Sequence, residues 1–356
     1  MRKDVAQFCV LPGISVLEAV AKMDSYKCGL VLAVDDERRL LGIITDGDIR
    51  RAVLSGMDFR LPVQNLLDSK AKSGLAQPIS ALVDSDPQTY LNLIKQYNIF
   101  HLPIVDKDGY VVGLIMANEF LPEGQMPMEA VIMAGGLGSR LRPLTIDVPK
   151  PMLPVGNRPL LELIVEQLQR AGIRKVNVTT HYKPELITNH FGDGKGFGVD
   201  IRYVKEDRPL GTAGALGLLG EFNSPLLVIN GDVVTRVDFR RMMEFHREHR
   251  ADMTIAVRPY DFRIPYGIVE IDGVLIKRVV EKPVFRKFIN AGIYLLNPDV
   301  CLMVDNGQPC EMPDLINLLV EKGSKIVGFP VHEYWVDIGE KDQYERVQKD
   351  LKAVGV

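Results

Sequence analysis

Residues Glu129 to Ala134 read EAVIMA and run straight into GGLGSRLR, a join that leaves the backbone few options. The apolar run predicts a short buried strand. Gly135, Gly136 and Gly138 then let the chain turn at once and bring its N–H groups close to an anion, with no Cβ in the way. Arg140 follows immediately, and Lys150 comes ten residues later between Pro149 and Pro151. Two cations beside a nest of amides make a site for a polyphosphate. The stretch is neither a Walker A loop, which ends in Gly-Lys-Ser/Thr, nor a GxGxxG turn.

A strand of this kind needs a sheet, and the downstream sequence supplies one. ELIVEQLQRAG, PELITNHFG, TAGALGLLGEF and DFRRMMEFHREHR read as helices, with KVNVTT, IRYVKE and PLLVINGD as the strands between them. This alternation predicts an α/β fold with a parallel-dominated sheet covered on both faces and ligand loops at the C-terminal strand ends. Beyond Met253 the pattern changes to strand pairs, TIAVRPY, GIVEID and IKRVVEKP, which predict an antiparallel extension.

The first 121 residues are organised differently. Val34-Asp35 followed by Gly42-Ile43-Ile44 recurs as Val105-Asp106 followed by Gly113-Leu114-Ile115, at a constant offset of 71. Each copy places a helix-period segment (VLEAVAKM, TYLNLIKQY) before a strand, a turn and a second strand (LLGIIT, VVGLIM). Two such α+β units bury their apolar faces against each other. Pro122 to Met128 carries two prolines and a glycine and reads as a linker, giving domains 1–121 and 129–356 around linker 122–128.

Composition limits the partners. With 43 basic and 46 acidic residues the net charge is −3, so no overall field draws the chain to nucleic acid or anionic lipid. Cys9, Cys28, Cys301 and Cys310 lack CxxC spacing, which points to reduced thiols in a cytoplasmic protein rather than a disulfide frame or zinc site. No apolar run approaches a membrane span, and MRKDVAQF lacks a signal-peptide core. His246 and His249, one turn apart in FHREHR, read as a solvated helix face, and Trp335 and the methionines as core.

The residues GGLGSRLRPLT and PKPMLP resemble the signature of the sugar-1-phosphate nucleotidylyltransferases, of which the mannose-1-phosphate guanylyltransferases are one group. Gly211-Thr-Ala-Gly214, Asn230-Gly231-Asp232, Glu281-Lys282-Pro283, Asn290-Ala-Gly-Ile-Tyr294 and Trp335-Val-Asp337-Ile-Gly339 extend the resemblance in chain order over 129–356. It implies a Rossmann-like mixed sheet and transfer of a nucleotidyl group to a sugar 1-phosphate, with release of pyrophosphate. It further implies that Ala134, Gly135, Gly136, Gly138, Ser139, Gly211 and Thr212 bind the nucleotide, and that Arg140, Lys150 and Asp232 are catalytic. Gly267, Glu281, Lys282 and Asn290 would hold the sugar phosphate, under an antiparallel extension closing over the sugar side. Because both reactants are polyanions, a hard cation is needed, and Asp232 and Asp337 are the candidate Mg2+ ligands. Glu206, before LGTAG, points to guanine, because a carboxylate only accepts hydrogen bonds and guanine offers adjacent N1–H and N2 donors. Mannose 1-phosphate and glucosamine 1-phosphate are both open as the sugar.

The N-terminal repeat resembles a tandem pair of CBS domains. Its first copy keeps the GxxTxxD pattern, in which Thr45 and Asp48 would hold an adenine nucleotide. The second has Met116 and Glu119 instead, and Thr45 is equally suited to capping the helix DGDIRRAVL. CBS pairs associate face to face, so a homodimer or larger assembly is expected. Alternatives are a uridylyl- or thymidylyltransferase, transfer to a non-sugar phosphate such as phosphocholine, or a catalytically silent adenine-nucleotide sensor.

Overall fold

The computed structural model describes residues 4–26, 29–72, 78–97, 99–120 and 126–354; Cys28 and positions 122–125 of the expected linker lie outside them. The chain forms two compact units. One is Met1–Met126 with Asp238–Ala251, the other Pro127–Val237 with Asp252–Val356.

In the first unit the repeat is visible in the hydrogen bonding. Cys9–Val10, Leu30–Val34 and Leu40–Thr45 make one three-stranded sheet, and Ala81–Leu82, His101–Val105 and Val111–Met116 make the other. Leu32 pairs with Ile43 and Pro103 with Leu114. The register slips between Ala33 and Val34 in one sheet and between Ile104 and Val105 in the other, each 71 residues apart. Arg39 bridges Tyr110, its own counterpart, in antiparallel fashion, as a local two-fold relation requires. Phe8, Leu30, Leu32, Val111 and Leu114 form a core that both copies share.

Two differences make the copies unequal, Met116 at the position of Thr45 and Glu119 at that of Asp48. In the first, Thr45 N–H and Oγ1 both donate to Asp48 Oδ2 at 2.8 and 2.9 Å, Asp48 N–H returns a bond to Thr45 Oγ1, and helix Asp46–Leu54 follows. In the second, Met116 has no hydroxyl to return. Only its N–H donates, to Glu119, and the described residues that follow form a 3-10 turn, Ala117–Phe120.

Helix Phe239–Glu248, N-capped by Asp238, belongs to this unit although it comes late in sequence. Its Arg241 donates to Asp46 at 3.0 Å, and Asp46 also pairs with the fully buried Arg50. Arg51 donates to Glu248 at 2.6 Å, and Glu248 occupies the space a side chain at Gly47 would need. The expectation of a solvated histidine face fails here. His246 is 2% exposed, and the His249 ring stacks on Phe245 at 4.1 Å, because the helix buries Phe239, Met242, Met243 and His246 together.

Glu244, partly buried on the same helix, is pushed up to about 8, first by loss of water and then by the negative charges of Asp238, Asp46 and Glu248. A carboxyl raised in the folded state favours folding below its unfolded value of 4.5, and that contribution is lost as pH rises through about 8. Glu244→Gln mimics the protonated form. Its melting temperature relative to the parent is therefore expected to climb between those limits, by up to about 1.4 kcal/mol of relative stability per pH unit. A difference that stays flat from pH 4 to 9 would overturn this account of Glu244.

The second unit is built on a seven-stranded sheet. Its strands, in spatial order, are Asp200–Lys205, Lys175–Thr180, Glu129–Met133, Leu226–Asn230, Val284–Leu296, Met253–Arg263 and Ile326–Pro330. The first four are parallel, Val284–Leu296 is antiparallel to both its neighbours, and the last pair is parallel. The central strands are near-continuous runs of buried apolar residues, as expected of strands covered on both faces. The chain moves outward from Glu129–Met133 to one side, then crosses back to Leu226–Asn230 on the other. That crossing makes a topological switch point at the C-terminal ends of the two strands.

One expectation here needs correction. TAGALGLLGEF is not a full helix; only Gly214–Leu218 coils, as a 3-10 turn, because the glycines take a backbone contact described below. The antiparallel extension forms as expected, as the strands Met253–Arg263 and Val284–Leu296 and the hairpin Ile268–Asp272 with Leu275–Val280; the hairpin is largely exposed, while the long strands bury Met253, Thr254 and Ile293 to Leu296 in the core.

Candidate active site

The switch point opens into a cleft lined by Met133, Ala134, Gly136, Gly138, Ser139, Arg140, Lys150, Pro151, Gly231, Asp232 and Gly339. Local chemistry explains how the loop is held. Ala134 N–H donates to Thr179 Oγ1 at 3.1 Å, pinning the strand end to its neighbour. Gly138 sits at φ +60°, with the side chains of Lys150 and Thr145 packed where its Cβ would be, and Thr145 Oγ1 donates to Gly138 O at 2.8 Å. Glycine at 138 is thus what folds the loop onto its own lysine. Beneath, Leu141, Leu153, Leu160, Val336 and Ile338 form an apolar floor.

The acidic side is assembled from distant sequence. Val233–Thr235 pairs antiparallel with Trp335–Asp337, so that Val233 faces Asp337, and Ile338 N–H donates to Asp232 O at 3.0 Å. Asp232 and Asp337 come close enough to interact directly. Asp337 has solvent at its surface but protein on most sides. That loss of water, reinforced by the like charge of Asp232, raises its carboxyl above the ordinary range, while Lys150 and Arg140 pull the other way. Lys150 Nζ pairs with Asp232 Oδ2 at 2.5 Å.

Asp232 Oδ1 and Asn230 Oδ1 are buried without a hydrogen-bond partner. Orphaned buried acceptors are costly unless something positive meets them. The oxygen-only donors and adjacent carboxylates suit a hard divalent cation, and Mg2+ typically takes only one or two carboxylates beside phosphate oxygens. Among the described residues no cluster of three or more His, Cys, Asp or Glu offers an all-protein cage.

The remaining candidates divide. Gly135 lies against Glu206, whose Oε1 occupies the space of a Cβ there; Glu206 Oε2 accepts Leu210 N–H at 3.1 Å. Gly211 and Thr212 follow on the same loop, but Thr212 N–H and Oγ1 both donate to Glu311 Oε2, so neither donor is free for a ligand. Gly267 abuts Glu281, and Lys282, at φ +43°, stands exposed beside it. Asn290 is turned to Tyr294 and Gly292 N–H. None of these four lines the cleft. In the first unit, Asp48 is committed to Thr45, Arg51 and Lys70, so a ribose reaching for it would have to displace an existing partner. Thr179, Thr145 and Glu311 were not singled out from sequence. Thr179 and Thr145 sit in ordinary strand and loop contexts, and the one local signal for Glu311 is its place before a helix start, EMPDLI.

Residues 1–55 match the CBS domain family. Over 227 residues the chain is 37% identical to a mannose-1-phosphate guanyltransferase of Pichia angusta, covering 61% of this chain and 62% of that protein. It is 36% identical over 234 residues to a mannose-1-phosphate guanylyltransferase of Mycobacterium tuberculosis, covering 63% and 64%. It therefore spans less than two thirds of the length of these relatives. Among solved structures, a putative glucose-1-phosphate thymidylyltransferase from Bacillus anthracis, in complex with a sucrose, superposes with TM-score 0.51 at 27% identity, covering 62% of this chain and 94% of that one. HddC from Yersinia pseudotuberculosis, complexed with GMP-PN, does so with TM-score 0.50 at 25% identity, covering 64% and 100%. Residues 129–354 match the nucleotidyl transferase family along their whole length, and the chain, with its CBS domain at the N-terminus, belongs to that family.

Proposed function

We propose that this chain transfers a guanylyl group from GTP to a sugar 1-phosphate, with mannose 1-phosphate the first candidate, releasing pyrophosphate. The observation that carries the reading is the meeting, at one switch point, of a glycine loop and two cations with two carboxylates. In the reaction a phosphate oxygen of the sugar 1-phosphate bonds to the α-phosphorus of the triphosphate. The bond from that phosphorus to the α–β bridging oxygen breaks, and its electron pair leaves with pyrophosphate. The nucleophile is already an anion, so no side chain need take a proton. What the chain supplies is alignment and positive charge. The loop amides from Ala134 to Ser139 would hold the phosphates, with Arg140 and Lys150 over the charge that develops. Asp232 and Asp337 would hold Mg2+, which neutralises phosphate charge when bound.

Guanine is favoured by the names of the curated relatives and by the GMP-PN in the HddC complex. Glu206 adds a physical reason. Among the described residues of its unit it is the only buried acid, its carboxylate pairs with no cation, and Leu210 N–H is the one hydrogen-bond donor to that carboxylate. A desolvated carboxylate beside the glycine loop gains from the paired donors of guanine and faces a carbonyl in uracil or thymine.

Measured as pyrophosphate release across GTP, UTP, dTTP, CTP and ATP with a panel of sugar 1-phosphates, GTP is expected to lead. Glu206→Gln keeps an acceptor for Leu210 N–H but loses the charge, and should erase most of an advantage of about a hundredfold. A parent enzyme preferring UTP or dTTP would remove the guanine reading and leave the reaction class standing.

The metal reading has its own measurement. Mg2+ should raise the melting temperature of the parent by mass action. Asp232→Asn should abolish that shift and lower turnover by about a thousandfold or more while the protein stays folded. Near-normal rates in the purified variant would sink the assignment.

A further inference from the structure

The loop from Glu206 to Gly214, closed on itself by Leu210 N–H to Glu206 Oε2, is braced by another part of the chain. Gly211, at φ +79°, precedes the 3-10 turn Gly214–Leu218, in which Gly214 and Gly217, three residues apart, share one face. That face lies against backbone from another part of the chain. An added Cβ would come 2.7 Å from Cys310 O at Gly211, 2.6 Å from Gln308 O at Gly214 and 2.8 Å from Asp305 O at Gly217. Cys310 O accepts both Ala213 N–H at 2.9 Å and Gly214 N–H at 3.0 Å, and Cys310 N–H donates to Leu210 O at 2.9 Å. The close backbone approach announced by these glycines is therefore made by residues 305–310.

Beside this seam Glu311 Oε2 accepts Thr212 N–H at 3.1 Å and Thr212 Oγ1–H at 2.7 Å. Thr212 Oγ1 in turn accepts Met312 N–H at 2.7 Å, satisfying the first amide of helix Met312–Glu321. A charged acceptor thus fixes both donors of one loop residue, and the bonds polarise one another.

We infer that Glu311 is a positioning residue for the nucleotide, acting through Thr212 to fix the loop that carries Glu206 and Gly211. The inference rests on the transfer reading above, and assigns Thr212 to holding the loop rather than to touching the ligand. Loss of Glu311 frees two donors and leaves the seam to its backbone bonds and to Arg208, which donates to Gly307 O at 3.0 Å and to Gln308 Oε1 at 3.3 Å. The nucleotide then has to order the loop when it binds, while the sugar phosphate does not.

The test uses the full chain and initial rates with GTP, mannose 1-phosphate and Mg2+. Glu311→Ala and Thr212→Val are each expected to raise KM for GTP by about tenfold, with kcat and the KM for mannose 1-phosphate within about twofold of the parent. Glu311→Gln keeps the accepting oxygen, and Thr212→Ser keeps the hydroxyl; both should rescue. Equal damage to both KM values, failure of Gln to rescue, or a GTP KM unmoved by Ala would each overturn the proposal. Amide exchange gives a second readout independent of turnover. Thr212, Ala213 and Gly214 N–H should exchange faster in Glu311→Ala than in the parent. If the parent consumes no nucleotide, the transfer reading falls, and unchanged exchange then overturns the bracing role separately.

Discussion

Lys150 and Asp232 face each other across the mouth of the cleft, and the pair joins by charge two pieces of chain that the apolar floor packs together beneath. Lys150 comes from the loop folded over Gly138, Asp232 from the end of an apolar strand. Without the lysine, two neighbouring carboxylates would repel in a place short of water. With it, the charges balance only in part, since Asp232 Oδ1 keeps no partner. A polyphosphate and a divalent cation would complete the exchange. In the transfer reading proposed above, lysine would turn to phosphate and both carboxylates to the metal, and the resting ion pair would hold both positions in advance.

That economy depends on the sheet. Parallel strands end together at one edge, and the reversal of strand order there leaves a gap between Glu129–Met133 and Leu226–Asn230. The pattern was legible because buried parallel strands are written as short apolar runs, and the glycine loop follows one without a spacer. The core of the site was legible for the same reason. Arg140, Lys150 and Asp232 lie in the cleft that the strand ends predict. The acidic partner on Trp335–Asp337 was harder to read from spacing, because a two-stranded pairing over a hundred residues apart leaves no local trace.

What escaped sequence reasoning has identifiable causes. TAGALGLLGEF has helical hydrophobic content, yet Gly214 and Gly217 serve a seam with residues 305–310, and a 3-10 turn puts residues three apart on one face. FHREHR carries enough charge to read as a solvated surface. The helix nonetheless buries His246, and its Arg241 and Glu248 find Asp46 and Arg51, residues nearly two hundred positions earlier. Polar residues that are buried by partners remote in sequence look, one-dimensionally, like polar residues in water.

The unequal helix starts of the two N-terminal copies have a consequence of their own. Duplication gives a fold two chances at every feature, and selection has to maintain only one. The sheets kept their slip in register in both copies because each packs into the shared core. At the second helix start Met116 has no hydroxyl, so the reciprocal bonding of Thr45 and Asp48 has no equivalent there. Whatever the Thr45–Asp48 corner contributes, it does so once per chain. Its stoichiometry is fixed at half that of the architecture around it, and a mutation there has no sibling site to compensate.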